Sequence, residues 1–222
     1  YNDLLKFMEN TFNIFDLDQS VDVPNYNVAP GTDVLSIISD GEKYRAGTFK
    51  WGFIPSFAKD INNTYKMINS RVEGIESKNA FKDSFMKRRC LILADGYYEW
   101  KINGKGKIPY LIQKSHKEMF FLAGIWSKSV KENGEVIYST SIITKAANNS
   151  LLDIHPRMPI ILNEDNAKRW INPSQKDKVK LLLILNNDYN DNIVKMRVSE
   201  YVNKVSNNSK KCIEEFTDNR LF

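Results

Sequence analysis

Asparagine or aspartate followed by glycine punctuates this chain, at Asp40-Gly41, Asp95-Gly96, Asn103-Gly104 and Asn133-Gly134. Such pairs tolerate the positive φ angles of tight turns, so between apolar runs they mark chain reversals. The runs they separate are short and rich in β-branched and aromatic residues. Val34 to Ile38 turns at Asp40-Gly41 into Tyr44 to Phe53. Met67 to Arg71 reads as extended, and Leu91 to Trp100 is a strand interrupted by Asp95-Gly96. Asn103-Gly104 and Gly106 lead into Ile108 to Gln113. Phe120 to Ser127 turns at Asn133-Gly134 into Val136 to Thr144, and Met158 to Leu162 and Val194 to Val198 add two more extended pieces. Helical spacing appears at Leu4 to Phe12, Ser77 to Phe85, Ala146 to Ile154, Asn163 to Trp170 and Lys176 to Leu185. Asn62 to Thr64 reads as a polar loop. Many strands with short helices between them and no regular βαβ rhythm predict a β-rich α+β fold.

A chain of 222 residues fits one large domain, here expected over 1–222 with a core to about residue 200. The polar stretch from Asn203, with Asn207-Asn208-Ser209-Lys210-Lys211, is expected to be mobile. Hydrophobic content of 42% and charged content of 27% suit a globular protein. The net charge of +5 is compatible with a polyanionic partner without demanding one. No apolar run approaches the ~20 residues that span a bilayer. Asp3, Lys6 and Glu9 in the opening residues argue against a secretory signal. Cys90 and Cys212 make neither a disulfide framework nor a zinc cluster, which favours a reducing, cytoplasmic setting. No phosphate-binding glycine loop, dinucleotide fingerprint or metal-ligand spacing is present.

Several residues can carry chemistry. Past the Asp95-Gly96 turn, a pleated segment puts Tyr98 and Trp100 on one face and Tyr97 and Glu99 on the other. A carboxylate set beside large rings loses water, and its pKa rises toward the range useful for proton transfer. The commoner fate of such a group is an ion pair with a nearby Lys or Arg. His155 sits in Ile154-His-Pro-Arg-Met-Pro159, a stiff mount for an acid or base, although a hydrogen-bonded structural histidine is the more frequent case. His116, in Lys114-Ser-His-Lys117, reads as solvated. Asn69 and Arg71 stand at i and i+2, on one face of a strand, where an amide and a guanidinium suit an anionic, oxygen-rich ligand. A plain surface strand would look the same. Cys90 follows Lys87-Arg88-Arg89, but burial in a strand is the usual fate of a lone cysteine. Trp51-Gly-Phe-Ile-Pro-Ser-Phe57 sets aromatics near Lys50 and Lys59, a composition shared by core strands and by platforms for single-stranded nucleic acid.

Taken in order, Asn27-Val-Ala-Pro30, Trp51-Gly-Phe-Ile-Pro55, Ile68-Asn-Ser-Arg71, Lys87-Arg-Arg-Cys90, Ala94-Asp-Gly-Tyr-Tyr-Glu-Trp100, Ala123-Gly-Ile-Trp126 and Ile154-His-Pro-Arg-Met-Pro159 resemble the SRAP family. Its members are the SOS-response-associated peptidases, or abasic-site processing proteins. The resemblance runs from about Phe7 to Trp170 and implies a single, mainly antiparallel β domain, curved into a sheet or barrel, with short flanking helices. It implies a monomer, nucleoid-associated, that binds single-stranded DNA and captures abasic sites as a thiazolidine on an N-terminal cysteine. It also implies abasic-site lyase and self-processing peptidase activity, and neither cofactor nor metal. By position, Asn69, Glu99 and His155 match the family's catalytic residues. Arg71 and Arg157 match its phosphate contacts, and Trp51 and Pro30 lie in segments bordering its DNA channel. The family's Met-Cys-Gly-Arg start is not in the sequence, which opens at Tyr1. The opening helix stands where the family's first helix follows the nucleophile, so that start is expected ahead of Tyr1. Two other readings fit the same residues: a thiol peptidase acting on other proteins, and a non-catalytic single-strand binding module.

Overall fold

The computed structural model describes residues 2–15, 17, 21–58, 67–186 and 192–217. It opens with α1 (Asn2–Phe12), whose Leu4, Met8 and Phe12 recur a turn apart and are buried together. The helix ends at Asn13, which adopts φ 56° and returns its N–H to the Glu9 carbonyl at 2.9 Å. Asparagine tolerates this left-handed conformation and so serves as a helix stop.

β1 (Asp33–Ser39) and β2 (Tyr44–Trp51) form the first hairpin, in register from Asp33 opposite Lys50 to Ser39 opposite Tyr44. Gly41 at its turn takes φ 103°, and the Asp40 carboxylate accepts the main-chain N–H groups of Glu42 and Lys43. β3 (Asn69–Arg71) and α2 (Lys82–Lys87) follow, then β4 (Arg89–Ala94). Next come β5 (Tyr97–Asn103), β6 (Gly106–Lys114), β7 (Phe120–Val130) and β8 (Val136–Ala146). β1 pairs with β4, β4 with β7 and β7 with β8, all antiparallel. A short parallel contact, Lys50 with Ser139 and Trp51 with Thr140, joins β2 to β8 and closes a five-stranded barrel.

Alternation along these strands sorts side chains between two cores. Val34, Phe49, Cys90, Ile92, Leu122 and Ile142, drawn from all five strands, meet in the lumen. Their neighbours Leu35, Leu91, Phe121, Ala123, Ile125 and Ile143 face outward, under the helices. Gly124 lies where the lumen is tightest: a Cβ there would stand 2.3 Å from Ile92 Cδ1 and 3.2 Å from the Ser141 carbonyl. β9 (Arg157–Pro159) and β3 extend the barrel along β8, and β10 (Ile161–Leu162) extends it along β7.

α3 (Glu164–Ile171) is capped by Asn163, whose side chain accepts the Asn166 N–H at 2.9 Å. Glu164 and Asp165 in its first turn and Lys168 and Arg169 in its last complement the helix dipole. Its Trp170 is fully buried, with the indole N–H shared between the carbonyls of Cys90 and Gly124. α4 (Lys178–Asn186) buries Leu181, Ile184 and Leu185. Arg89 fastens α2 and α3 to the barrel. Its five N–H donors reach the carbonyls of Phe85, Met86, Trp170, Asn172 and Gln175. Burial lowers the Arg89 pKa to about 10, still charged at neutral pH.

β11 (Ile193–Arg197) joins β6 and β5 in a second, antiparallel sheet. The architecture is the β-rich one expected from sequence, but three local expectations are corrected. Ala146 ends β8, and residues 149–154 form consecutive turns instead of a helix, with Leu151 and Leu152 both donating to the Asn148 carbonyl. Asn148, Asn149 and Ser150 are weak helix formers whose side chains compete for local hydrogen bonds, as Ser150 Oγ does by donating to Asn148 Oδ1 at 2.7 Å. The tail is not loose over its described part. Cys212 is fully buried against Leu111, Val198 and Val202, and Asn27 Nδ2 reaches the carbonyls of Val202, Lys204 and Asn207. The predicted helix over Ser77 to Phe85 is shorter, starting at Lys82 after turns. The predicted Asn62 to Thr64 loop and Lys59 lie outside the described residues.

Candidate active site

β5 has two faces with different work. Tyr98 packs toward the tail, its hydroxyl donating to the Tyr26 carbonyl at 2.7 Å, and Trp100 Nε1 donates to Asn203 Oδ1. Tyr97 and Glu99 point the other way, as the pleat requires. Tyr97 packs against Phe120 and joins Ile112, Leu151 and Met158. Glu99 stands beside His155, with Oε1 3.8 Å from Nδ1. The Glu99 side chain is 25% exposed. Burial raises its carboxyl above the usual carboxylate range, and His155 and the Trp100 main-chain N–H pull it back in part.

His155 is held by the residue two places on. Its Nδ1 lies 3.2 Å from the Arg157 N–H nitrogen and 3.0 Å from the Arg157 carbonyl oxygen. A bare Nδ1 accepts from the first; a protonated Nδ1 donates to the second. Nδ1 therefore has a hydrogen-bond partner in either tautomer.

Ion pairs fix the loop on both sides of the histidine. Upstream, Asp153 pairs with Lys195 on β11 and, at 3.4 Å, with Lys101 on β5, and Lys195 also donates to the Ser150 carbonyl. Lys195 first and Lys101 second hold the Asp153 carboxyl below its usual value. Downstream, Arg157 grips Glu73 through both terminal nitrogens, at 2.7 and 2.9 Å, and donates to the Thr144 carbonyl at 2.7 Å. Arg157 depresses the Glu73 carboxyl, with a smaller contribution from Arg71.

β3 runs beside β8, another neighbour of which, β9, carries Arg157. Asn69 and Arg71 are exposed and Ser70 between them is buried, the alternation predicted for a strand. Arg71 lies opposite Thr144 on β8, the residue that holds Arg157. Pro30 is exposed in a turn stitched to Trp51: Gly31 N–H donates to the Trp51 carbonyl and Trp51 N–H to that of Thr32. The Trp51 indole is half-buried and donates to the Ile68 carbonyl at 2.9 Å, one residue before Asn69. The fold thus joins Glu99 with His155, His155 with Arg157, and Arg157 with Glu73, whose carboxyl Arg71 also influences. No direct hydrogen bond links Asn69 to Glu99 or His155.

The thiols stand apart. Cys90 is fully buried in the lumen, and desolvation pushes it up to about 12. Cys212 is buried in the tail contact. His116 is exposed, as expected. Among the described residues no cluster of His, Cys, Asp and Glu is placed to hold a metal, and no helix is long and apolar enough to cross a membrane. Two members of the site carried no role in the sequence reading. Glu73 lies two residues beyond Arg71, just past the end of β3, and that continued alternation was the available signal. Tyr97 buries its hydroxyl with no partner among the described residues, its pKa raised by burial and, secondarily, by Glu99.

The fold thus sets a half-buried carboxylate against a histidine and presents an exposed amide and guanidinium on β3. The chain matches the family model described as SOS response associated peptidase (SRAP) over residues 4–205, and it belongs to that family. It is 41% identical over 192 residues to "Abasic site processing protein YoqW" of Bacillus subtilis, covering 86% of each chain. It is 40% identical over 205 residues to "Abasic site processing protein YoaM" of the same organism, covering 90% of each. A crystal structure of a protein from Bacteroides thetaiotaomicron superposes with a TM-score of 0.76 at 28% identity, covering 84% of this chain and 82% of that one.

Proposed function

We propose that this protein processes abasic sites in single-stranded DNA by covalent capture, with associated lyase and self-processing peptidase activity, in the cytoplasm at the nucleoid. The observation that carries the reading is the Glu99–His155 contact, in a chain whose relatives are named for abasic-site processing. The nucleophile is an N-terminal cysteine ahead of Tyr1. An α-amino group with a pKa near 7.7–8 is partly neutral at pH 7. It adds to the C1 aldehyde of the ring-opened sugar, and loss of water leaves an imine. The cysteine thiol then adds to the imine carbon, the nitrogen takes a proton, and a thiazolidine closes.

The site residues divide these steps. Asn69 holds the N-terminal residue or the opened sugar. Glu99, its carboxyl raised by burial, delivers the proton for loss of hydroxyl and recovers it at ring closure. His155 assists sugar ring opening and, where the imine eliminates, departure of the 3′ phosphate. Arg71 meets a backbone phosphate directly. Arg157 offers what its clasp with Glu73 leaves free, and Trp51 and Pro30 border the strand's path. The protein acts as a monomer and as a single domain. Burial of both Cys90 and Cys212 weighs against a thiol peptidase built on either.

The test uses full-length protein with an intact N-terminal cysteine and uracil-containing single-stranded DNA treated with uracil glycosylase. A denaturation-resistant adduct that requires the cysteine and Glu99 supports the reading. Absence of any adduct sinks it.

A further inference from the structure

The Glu73–Arg157 pair has geometry beyond that of an ordinary surface salt bridge. It is bidentate, it spans 84 positions of sequence, and its guanidinium is only 21% exposed. Arg157 Nε is buried without a partner among the described residues, and Nη2 is tied to Thr144. That side chain has little freedom left to reach for a ligand. Its main chain, meanwhile, provides both hydrogen-bonding groups facing His155 Nδ1. The contacts form a relay from Glu73 to Arg157, from Arg157 to His155, and from His155 to Glu99.

We infer that Glu73 is a positioning residue for the Glu99–His155 pair, acting through Arg157. Its carboxylate fixes the Arg157 side chain, and this sets where the Arg157 N–H and carbonyl meet the imidazole. Displacement of a reacting group by ~1 Å costs on the order of 100-fold in rate, so a slackened clasp is visible kinetically. The inference rests on the reading of Glu99 and His155 as a proton-transfer pair. A different role is available to the same carboxylate: it could simply occupy the Arg157 fork in place of a DNA phosphate. The two roles predict opposite outcomes.

The experiment compares wild type, Glu73→Gln, Glu73→Asp, Arg157→Lys and the double variant Glu73→Gln/Arg157→Lys in full-length protein. Single-turnover capture of abasic single-stranded DNA is followed across pH, beside equilibrium binding of undamaged single-stranded DNA and the thermal midpoint. Positioning predicts that Glu73→Gln slows capture at least about tenfold and moves the pH–rate profile, with DNA affinity within about twofold of wild type. Glu73→Asp recovers part of the rate, and the double variant is no slower than the worse single one. An unchanged rate and profile in Glu73→Gln, or tighter DNA binding with unchanged rate, overturns the inference. The underlying reading fails separately: it falls if Glu99→Gln and His155→Ala both capture at wild-type rate. Should Glu73→Gln lower the thermal midpoint sharply, Glu73→Asp and the double variant still decide the matter, through the pH profile and the non-additivity of rates.

Discussion

Glu99 and His155 reach each other across a sheet boundary, the carboxylate from β5 of the second sheet and the imidazole from the loop that feeds β9 of the barrel, 3.8 Å apart. The raised carboxyl of Glu99 has a consequence for stability. With its folded pKa above the ordinary 4.5, the folded protein holds this proton after the unfolded chain has lost it. Stability therefore falls as pH rises through the window between the two values, and the cost persists above it. Glu99→Gln removes that cost. The variant should melt higher than wild type at neutral pH and match it below about pH 4, near the ordinary Glu value, while its capture rate drops by about 10²–10⁴. Melting curves at both pH values check the first outcome and single-turnover assays the second.

Arg71 is exposed, whereas Arg157 is clasped. Arg71→Ala should weaken binding to single strands of any sequence and reduce the slope of log K against log salt by about 0.7, one phosphate's share. Arg157→Ala should change that slope less, since Glu73 already offsets its charge. Binding titrations over a salt series separate the two.

Arg89 satisfies five carbonyls with one side chain and has no carboxylate partner among the described residues. Arg89→Met fills similar space but orphans those carbonyls, with a cost on the order of 3 kcal/mol or more. The expected result is a lowered denaturation midpoint with loss of order at the ends of α2 and α3, readable by hydrogen exchange. Arg89→Lys should recover little, because one ammonium cannot span five acceptors.

At Gly124 the lumen has no room. Gly124→Ala should destabilise the barrel by about 1–3 kcal/mol, the usual cost of overpacking. Removing the clashing Cδ1 with Ile92→Val should recover part of the loss, which denaturant melts of the two single variants and the double variant would show.

Local features were the ones readable in the sequence. The Asx-Gly pairs ending at Gly41, Gly104 and Gly134 located hairpins because a positive φ is a single-residue property, whereas Asp95-Gly96 joins strands of different sheets without one. The pleat alone placed Tyr98 and Glu99 on opposite faces and set Asn69 beside Arg71. What stayed hidden depends on distant partners. Nothing near Glu73 announces an arginine 84 positions away, and nothing in β2 announces that it closes on β8 by two parallel pairs. The tail looked mobile because it is polar, yet it docks through main-chain carbonyls, which every sequence carries. The turns at 149–154 show the reverse failure, where apolar spacing suggested a helix and the side chains of Asn148 and Ser150 favoured turns.

The tail contact also has a bearing on biosynthesis. Tyr98 and Trp100, on the back of the strand that carries Glu99, are held by Cys212 and Asn203, among the last described residues. Asn27, near the Pro30 turn, is held by the same segment. A nascent chain extended only to β9 already contains Asn69, Glu99 and His155, but the wall behind Glu99 is missing. The site is therefore completed only after the segment carrying Asn203 and Cys212 has left the ribosome, so that its reacting side chains are made well before the wall that backs them.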